Sequence, residues 1–454
     1  MSITLIAKDD VPIDEIGQRL TSQGVPGVSY AKMNEILYEG KTVNQTDLVI
    51  LISATQNTDD ASDGIEHIRH RLSPAQRLVL CMPYTTFSEL LIQQGADEII
   101  QPAGQSVDRI FERILGYLIQ EKRVEQYAYQ GMRGATWQMR KIYGDIEKYA
   151  RVNRSVLILG ETGTGKSLVA QALHNLAGRS GKLVHIDCPA IGPEVIESEL
   201  FGHMIGAFTG AVKDRMGLIE TAKKGTAFVD EIGDLAEHLQ AKLLDAVENN
   251  RVRPMGGNDY KKVDTRFVFA TNRDLPERMR EGKFREDLYA RINTLVIKMP
   301  PLRKRLADIP LLADHFIERY NHDNNSSVKL QPGAIDELFR YHWPHNVREL
   351  KNVVDSAAAK AGETGNITNV ILQEIIRDLR EIWQGHTKAT GQENSIRIDP
   401  QTDTWPALEA RAKETYFKAL VEVAENMKHA SELSGIHRSH LHEILKGYNL
   451  KLRR

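Results

Sequence analysis

The chain has 454 residues, which at about 100–200 residues per domain implies several folded units rather than one small module. Hydrophobic residues make up 41% and charged residues 26%, the balance of ordinary globular protein, which excludes disordered and collagen-like chains. Lys and Arg (59) nearly cancel Asp and Glu (61) for a net charge of −2, so any contact with nucleic acid has to be a local basic patch. The 2 cysteines, Cys81 and Cys188, are too few and too far apart for a disulfide framework or a thiolate metal site, and are expected as reduced core thiols. No run approaches the roughly eighteen consecutive apolar residues of a spanning helix, and the opening MSITLIAKDD lacks the basic flank and apolar stretch of a signal peptide. The expectation is a cytoplasmic protein with no membrane contact.

From Ile3 to about Gln120, short apolar runs alternate with helical patterns. Strands are predicted at Ile3–Ala7, Leu48–Ile52, Leu78–Met82 and Glu98–Ile100, and helices at 13–22, 64–71, 86–94 and 107–121. Strands alternating with helices imply βα units on a parallel sheet, here a flavodoxin-like domain over 1–120. The polar run EKRVEQYAYQG (121–131) continues the last helix and reads as a linker. A larger α/β block covers 132–384. After it, residues 385–404 collect Gly, Thr, Asn, Gln and Asp and read as a flexible tether. Residues 405–454 are predicted helical: 407–424, 428–433, a Ser434-Gly435 turn, and 438–446.

The apolar strand Val156–Leu159 runs straight into Gly160, Glu161, Thr162, Gly163, Thr164, Gly165, Lys166 and Ser167, and a helical pattern follows. This is the G-x4-G-K-[ST] phosphate loop in the strand–loop–helix context its mechanism needs. Glycines let backbone N–H groups converge on phosphate oxygens, Lys166 offers a charge to the β and γ phosphates, and Ser167 can ligate Mg²⁺. A second strand, 226–229, ends in Asp230 and Glu231, which places two carboxylates at the crevice of an open α/β sheet. Asp230 would hold Mg²⁺ and Glu231 would polarise the attacking water. A third strand, 266–270, ends in Thr271 and Asn272, an amide able to orient water or the γ-phosphate.

Between the loop and the acid pair lies Gly206, Ala207, Phe208, Thr209, Gly210 and Ala211, a protruding segment with exposed Phe and Thr between glycines. This GAFTGA hexapeptide resembles the signature loop of the sigma-54-dependent transcriptional activators, the bacterial enhancer-binding proteins of the NtrC type, which are AAA+ ATPases. The resemblance runs through the central block. FREDLYARIN (284–293) is similar to the segment carrying the arginine fingers, which implies Arg285 and Arg291 in that role. PPLRKRLADIP follows, and WPHNVRELKNVV (343–354) is similar to the sensor II helix, implying Arg348 as the sensor arginine. The family implies ATP with Mg²⁺, a hexameric ring whose fingers reach a neighbour's γ-phosphate, and sigma-54 RNA polymerase as the partner of residues 206–211. The block departs from the family pattern in places: Ser167 stands where Glu is common, Met204-Ile205 replace an acidic–basic pair, His345 replaces a common glycine in the sensor II motif, and Asp187 stands where a switch asparagine is usual. An acid facing Glu231 would raise one pKa by like-charge repulsion.

The C-terminal spacing is similar to a Fis-type helix-turn-helix, with Arg438, Ser439, His440, His442 and Lys446 facing enhancer DNA. The N-terminal domain resembles a response-regulator receiver in element order, and Asp9-Asp10 fits its metal-binding acid pair. Ser53 stands at the tip of the predicted Leu48–Ile52 strand, where a phosphorylatable aspartate is needed, and Gln101-Pro102 replaces Lys-Pro. The implied domain is a degenerate receiver used for dimerisation or partner contact. Flagellar master regulators of this family also lack the site, and some respond to cyclic di-GMP, although no matching arginine cluster precedes this phosphate loop. The resulting expectation is an α/β multidomain protein: receiver-type domain, AAA+ ATPase domain with a helical lid, and helix-turn-helix. It would bind enhancers, assemble from dimers into a ring, and open sigma-54 promoters. The rival readings are a DNA-binding regulator using ATP only to assemble, and an ATPase remodelling another protein.

Overall fold

The run ITLIA is buried at every position, as a strand covered on both faces of a parallel sheet must be. In the computed structural model, which describes residues 2–7, 11–38, 46–53, 64–65, 68–72, 76–82, 91–92, 96–102, 106–122, 124, 128–331, 333–390 and eight later positions, it is an interior strand of the first sheet. The strands are β1 (Ile3–Ala7), β2 (Val28–Lys32), β3 (Leu48–Ile52), β4 (Arg77–Cys81) and β5 (Glu98–Ile100), in the order β2-β1-β3-β4-β5 with every pair parallel. This is the doubly wound order of flavodoxin-like sheets. The sequence reading omitted β2. Val28, Tyr30 and Lys32 are only partly buried and Ser29 is exposed, as suits an edge strand, so it offers no continuous apolar run to detect. Helical residues are found within 64–71 and 86–94, although most of the latter span lies outside the described residues, as does Asp9-Asp10.

The expected linker at 121–131 ends in structure. Strands β6 (Ala128–Tyr129) and β7 (Met132–Arg133) pair antiparallel around Gln130 (φ 51°) and Gly131 (φ 83°). Two successive positive φ values are what a tight two-residue hairpin demands.

The second sheet joins β8 (Val156–Leu159), β9 (Leu183–Asp187), β10 (Thr226–Asp230), β13 (Arg266–Thr271) and β14 (Leu295–Lys298) in the order β14-β8-β13-β10-β9, all parallel. The small ladder of β11 (Arg251–Val252) with β12 (Lys261–Lys262) lies between β10 and β13 in sequence. Apolar side chains of β8, β10 and β13 fill cores on both faces. Buried Arg266 donates to the carbonyls of Tyr149 and Ala150 (2.6 and 2.8 Å), capping the helix Trp137–Ala150 at its negative end. The lid follows: helices Ile309–Asn324, Ala334–Phe339 and Asn346–Ala361, with β15 (Lys329–Leu330) paired to β16 (Asn366–Ile367). Trp343 is completely buried there, its indole N–H on the Leu338 carbonyl at 2.8 Å.

The helix Val107–Gln120 is capped by the Ser106 hydroxyl and carries the apolar stripe Ile110, Phe111, Ile114 and Leu118. The stripe belongs to one apolar cluster that also includes Ala307 and Leu311 of the lid segment. Gly116 is needed for this approach, since a Cβ there would stand 2.7 Å from the Phe339 ring. Beside it Arg113 and Asp336 form a buried ion pair at 2.6 Å, the guanidinium also lying over the Phe339 ring. The Arg340 guanidinium donates to the Gln101 side-chain carbonyl at 2.7 Å.

The chain divides into two units, Met1–Ile376 and Arg377–Arg454. The helix Asn369–Thr390 continues through 385–390, which composition assigned to the tether. One interior glycine costs only about 1 kcal/mol, and Gly385 does not end this helix. In the second unit the described residues Lys413, Tyr416, Phe417, Leu420 and Val421 are helical, and Phe417, Leu420 and Val421 are buried.

Candidate functional site

The phosphate loop emerges from β8 where the sheet's carboxyl ends open into a cavity of about 700 Å³. Gly163 (φ 80°) and Gly165 (φ 105°) take backbone conformations that L side chains resist. At Gly163 contact also decides, because a Cβ would lie 2.1 Å from the His345 carbonyl oxygen. The lid rests on this residue, with Val347 N–H donating to the Gly163 carbonyl at 3.0 Å. Thr162, Gly163, Thr164, Gly165, Lys166 and Ser167 all line the cavity. Gly160 accepts from Lys166, and Glu161 turns outward to the lid.

Lys166 is buried and donates to Glu231 Oε1 at 3.1 Å and to the Gly160 carbonyl at 3.0 Å. Glu231 sits at φ 51°, and its other oxygen accepts the Asn272 N–H at 2.9 Å. The Asn272 amide in turn donates to the Thr162 hydroxyl at 3.0 Å. Four predicted site residues, two from the loop and one past each of two strand ends, therefore form one hydrogen-bonded chain. A left-handed Glu is uncommon, and strain held at such a position is typical of functional sites.

Asp230 lies beside Glu231. Burial first, and then repulsion by Glu231, push its carboxyl above the usual range, while Lys166 and His185 pull it back. His185 Nε2 approaches Asp230 Oδ2 at 3.4 Å, and its ring stacks on Phe228 at 4.8 Å. Asp187 is in register with Asp230 across β9 and β10, is exposed, and lines the cavity. Ser167 and Asp230 offer a hydroxyl and a desolvated carboxylate flanked by another acid, a hard-oxygen set that suits Mg²⁺. Burial pushes both cysteine thiols up to about 12, in keeping with inert core residues.

Several contributors were not read from the sequence. Arg303 forks onto Glu161 (2.7 and 2.5 Å), Asn346 donates to Glu161 (3.1 Å) and the Thr162 carbonyl (3.0 Å), and buried Arg305 donates to the Thr164 carbonyl (3.1 Å). They sit 140 or more residues from the loop in sequence, and no local spacing reveals them. Met132, Met139, Leu312 and Phe316 add apolar lining to the cavity, along with His315 and Arg319.

Arg348 lines the cavity, whereas Arg285 and Arg291 do not. Arg285 is tied by its N–H to Gln240 and by its guanidinium to Asp287 (3.0 and 2.7 Å), and Arg291 lines a separate cavity of about 350 Å³. The 206–211 segment is closed by Gly206 N–H to the Ala211 carbonyl (2.8 Å). Phe208 is 42% exposed and meets the His203 ring edge-on at 5.0 Å, and Thr209 is exposed. Its stem is braced by Arg215 on Glu199, and by Gly256, where a Cβ would come within 2.8 Å of Ala207. Of the predicted DNA-facing residues, His442 and Lys446 are helical and exposed, while Arg438, Ser439 and His440 lie outside the described residues.

A five-stranded parallel sheet with this loop, acid pair and lid defines an AAA+ nucleotide-binding protein. Residues 132–298 match the sigma-54 interaction domain family and residues 303–389 the AAA+ ATPase lid domain family. The chain is 37% identical over 393 residues to the transcriptional regulatory protein ZraR of Salmonella typhi, spanning 84% of this chain and 85% of that one. It is 43% identical over 249 residues to the Nif-specific regulatory protein of Azotobacter vinelandii, spanning 54% and 48%. Crystal structures of NtrX from Brucella abortus in complex with ADP and with ATP share the fold at a TM-score of 0.50 and 24% identity, covering 99% of this chain and 100% of theirs. The chain belongs to the sigma-54-dependent transcriptional regulators. Among the described residues, no helix is long and apolar enough to cross a membrane.

Proposed function

We propose that this protein is an ATP-hydrolysing transcriptional activator that binds enhancer DNA and remodels closed sigma-54 RNA polymerase. The observation that carries the reading is the chain Lys166–Glu231–Asn272–Thr162, which links the phosphate-binding amine to a carboxylate placed for water. Lys166 would leave Glu231 for the β and γ phosphates when nucleotide enters, freeing one Glu231 oxygen to accept a proton from water. Asn272 N–H holds the other oxygen and fixes its orientation. Ser167 and Asp230 would hold Mg²⁺, which when bound neutralises phosphate charge. The β-phosphate finds the loop N–H groups at the start of the helix Lys166–Leu176.

Arg285 and Arg291 lie off the cavity of their own chain, which supports their acting on a neighbour's γ-phosphate. Hydrolysis would then require assembly from dimers into a hexameric ring. Residues 206–211 would grip the sigma factor through Phe208 and Thr209, and Asp187 would relay nucleotide state to them. DNA contact would come from Arg438, Ser439, His440, His442 and Lys446. With Ser53 just past β3 and Gln101 just past β5, aspartyl phosphorylation is not the signal. The test is Thr209→Ala: promoter opening lost with ATP turnover and DNA binding retained supports this division of labour, and equal loss of turnover overturns it.

A further inference from the structure

The segment between β14 and the helix Ile309–Asn324 is gripped from two sides. Toward the nucleotide cavity, Arg303 forks onto Glu161 and Arg305 donates to the Thr164 carbonyl. On the opposite side the Ala307 N–H donates to Glu112 Oε2 at 2.9 Å, and Glu112 belongs to the helix Val107–Gln120 of the N-terminal domain. Fully buried Asp308 then gathers the N–H groups of Ala135 and Thr136 and the Thr136 hydroxyl at 2.8, 3.0 and 2.9 Å.

Leu306–Asp308 is a single 3-10 turn, so Arg305 and Ala307 move together. Arg305 is 2% exposed, with one guanidinium nitrogen on the Met139 sulfur and another on the Thr164 carbonyl, so a shift that breaks these contacts leaves a buried charge without its partners. A displacement of the Ala307 amide is therefore felt at the phosphate loop.

We propose that Glu112 is a positioning residue for the nucleotide site: by accepting the Ala307 amide, the N-terminal domain holds Arg305 on Thr164 and supports nucleotide binding by its own chain. This rests on the ATP-site reading above. The Arg113–Asp336 pair and the Gln101–Arg340 contact supply the docking, and Glu112 supplies the coupling. The same docking acting as a restraint would give the opposite sign, with nucleotide bound more tightly or cleaved faster once it is loosened.

The test uses the full-length chain and a fluorescent methylanthraniloyl-ADP probe with Mg²⁺. Glu112→Ala is expected to weaken binding roughly fivefold, the size of one lost backbone hydrogen bond. Glu112→Gln, whose side-chain carbonyl still accepts from Ala307, is expected to stay within about twofold of wild type. In the nucleotide-free protein, hydrogen exchange across residues 160–168 is expected to speed up in Glu112→Ala and not in Glu112→Gln. Unchanged binding and exchange in Glu112→Ala, tighter binding or faster turnover overturn the proposal, and so does equal weakening in Glu112→Gln. Should Glu112→Ala fail to fold, Glu112→Asp, shorter by one methylene, gives the same comparison. A wild-type chain that does not bind the probe sinks the nucleotide-site reading instead, and is told apart by that result alone.

Discussion

The protein contains two five-stranded parallel sheets that differ mainly in the residues standing just past their strands. At the ends of β8, β10 and β13 come Gly160, the Asp230–Glu231 pair and Asn272, and a cavity of about 700 Å³ opens there. Past β3 and β5 of the first sheet come Ser53, which is buried, and Gln101, which is held by Arg340 and Asp336. Parallel topology supplies a crevice in both cases. Chemistry follows only where the strand ends bear charge, and in the first sheet the corresponding end has become a docking surface.

On the proposed reading, in which a neighbouring subunit supplies the finger arginine, the largest effect should come from that residue. Arg285→Ala should lower ATP turnover by about 10³-fold, as loss of an arginine finger does, with nucleotide binding unchanged. Mixing it with Lys166→Ala should restore part of the rate, because each variant supplies what its neighbour lacks; a mixture as dead as its components would break the contrast between complete and incomplete sites. Next, Glu231→Gln should cost about 10²-fold in turnover with binding retained, measured by steady-state phosphate release.

The docking surface offers a stability test. Asp336→Ala leaves Arg113 buried and unpaired and should destabilise the chain by about 3 kcal/mol in denaturant titrations. Replacing both partners with apolar side chains should recover most of that loss. A small effect of Asp336→Ala would mean that the two sheets do not share a cooperative core.

The smallest effect concerns pH. Burial, aided by Asp308 and Asp108 and opposed by the Ala307 N–H and Arg19, pushes the Glu112 carboxyl up to about 7. Burial and Glu318, opposed by Lys122, raise Asp314 to about 6. A carboxyl raised in the fold binds more protons folded than unfolded between its ordinary pKa and the raised one, so its contribution to stability falls as pH rises through that window. Thermal melts should therefore show a higher midpoint near pH 6 than near pH 8, and Glu112→Gln should flatten the slope.

Much of this was legible in the sequence because the signals are local. The β8–loop–helix junction, the acids ending β10 and the hexapeptide 206–211 are each contiguous, and β8, the helix after the loop and β10 form where their patterns predicted. What escaped is non-local or weakly patterned. Strand β2 is a half-exposed edge with no apolar run, and the hairpin of β6 and β7 is announced only by Gln130-Gly131. The lid contacts of Arg303, Arg305 and Asn346 with the phosphate loop join residues far apart in the chain, so they appear only once the fold has closed. Asp187 stands in register beside Asp230, and the Asp230 carboxyl is pushed up by burial first and then by its chain neighbour Glu231.

The central claim is that the site is completed by a second copy of the chain. The direct measurement is ATP turnover per subunit as a function of protein concentration, with enhancer DNA present. Turnover that rises steeply with concentration, and is lowered about 10²-fold in Glu231→Gln, is the predicted result. A rate per subunit that is the same from dilute to concentrated protein, or that stays at zero throughout, would contradict it.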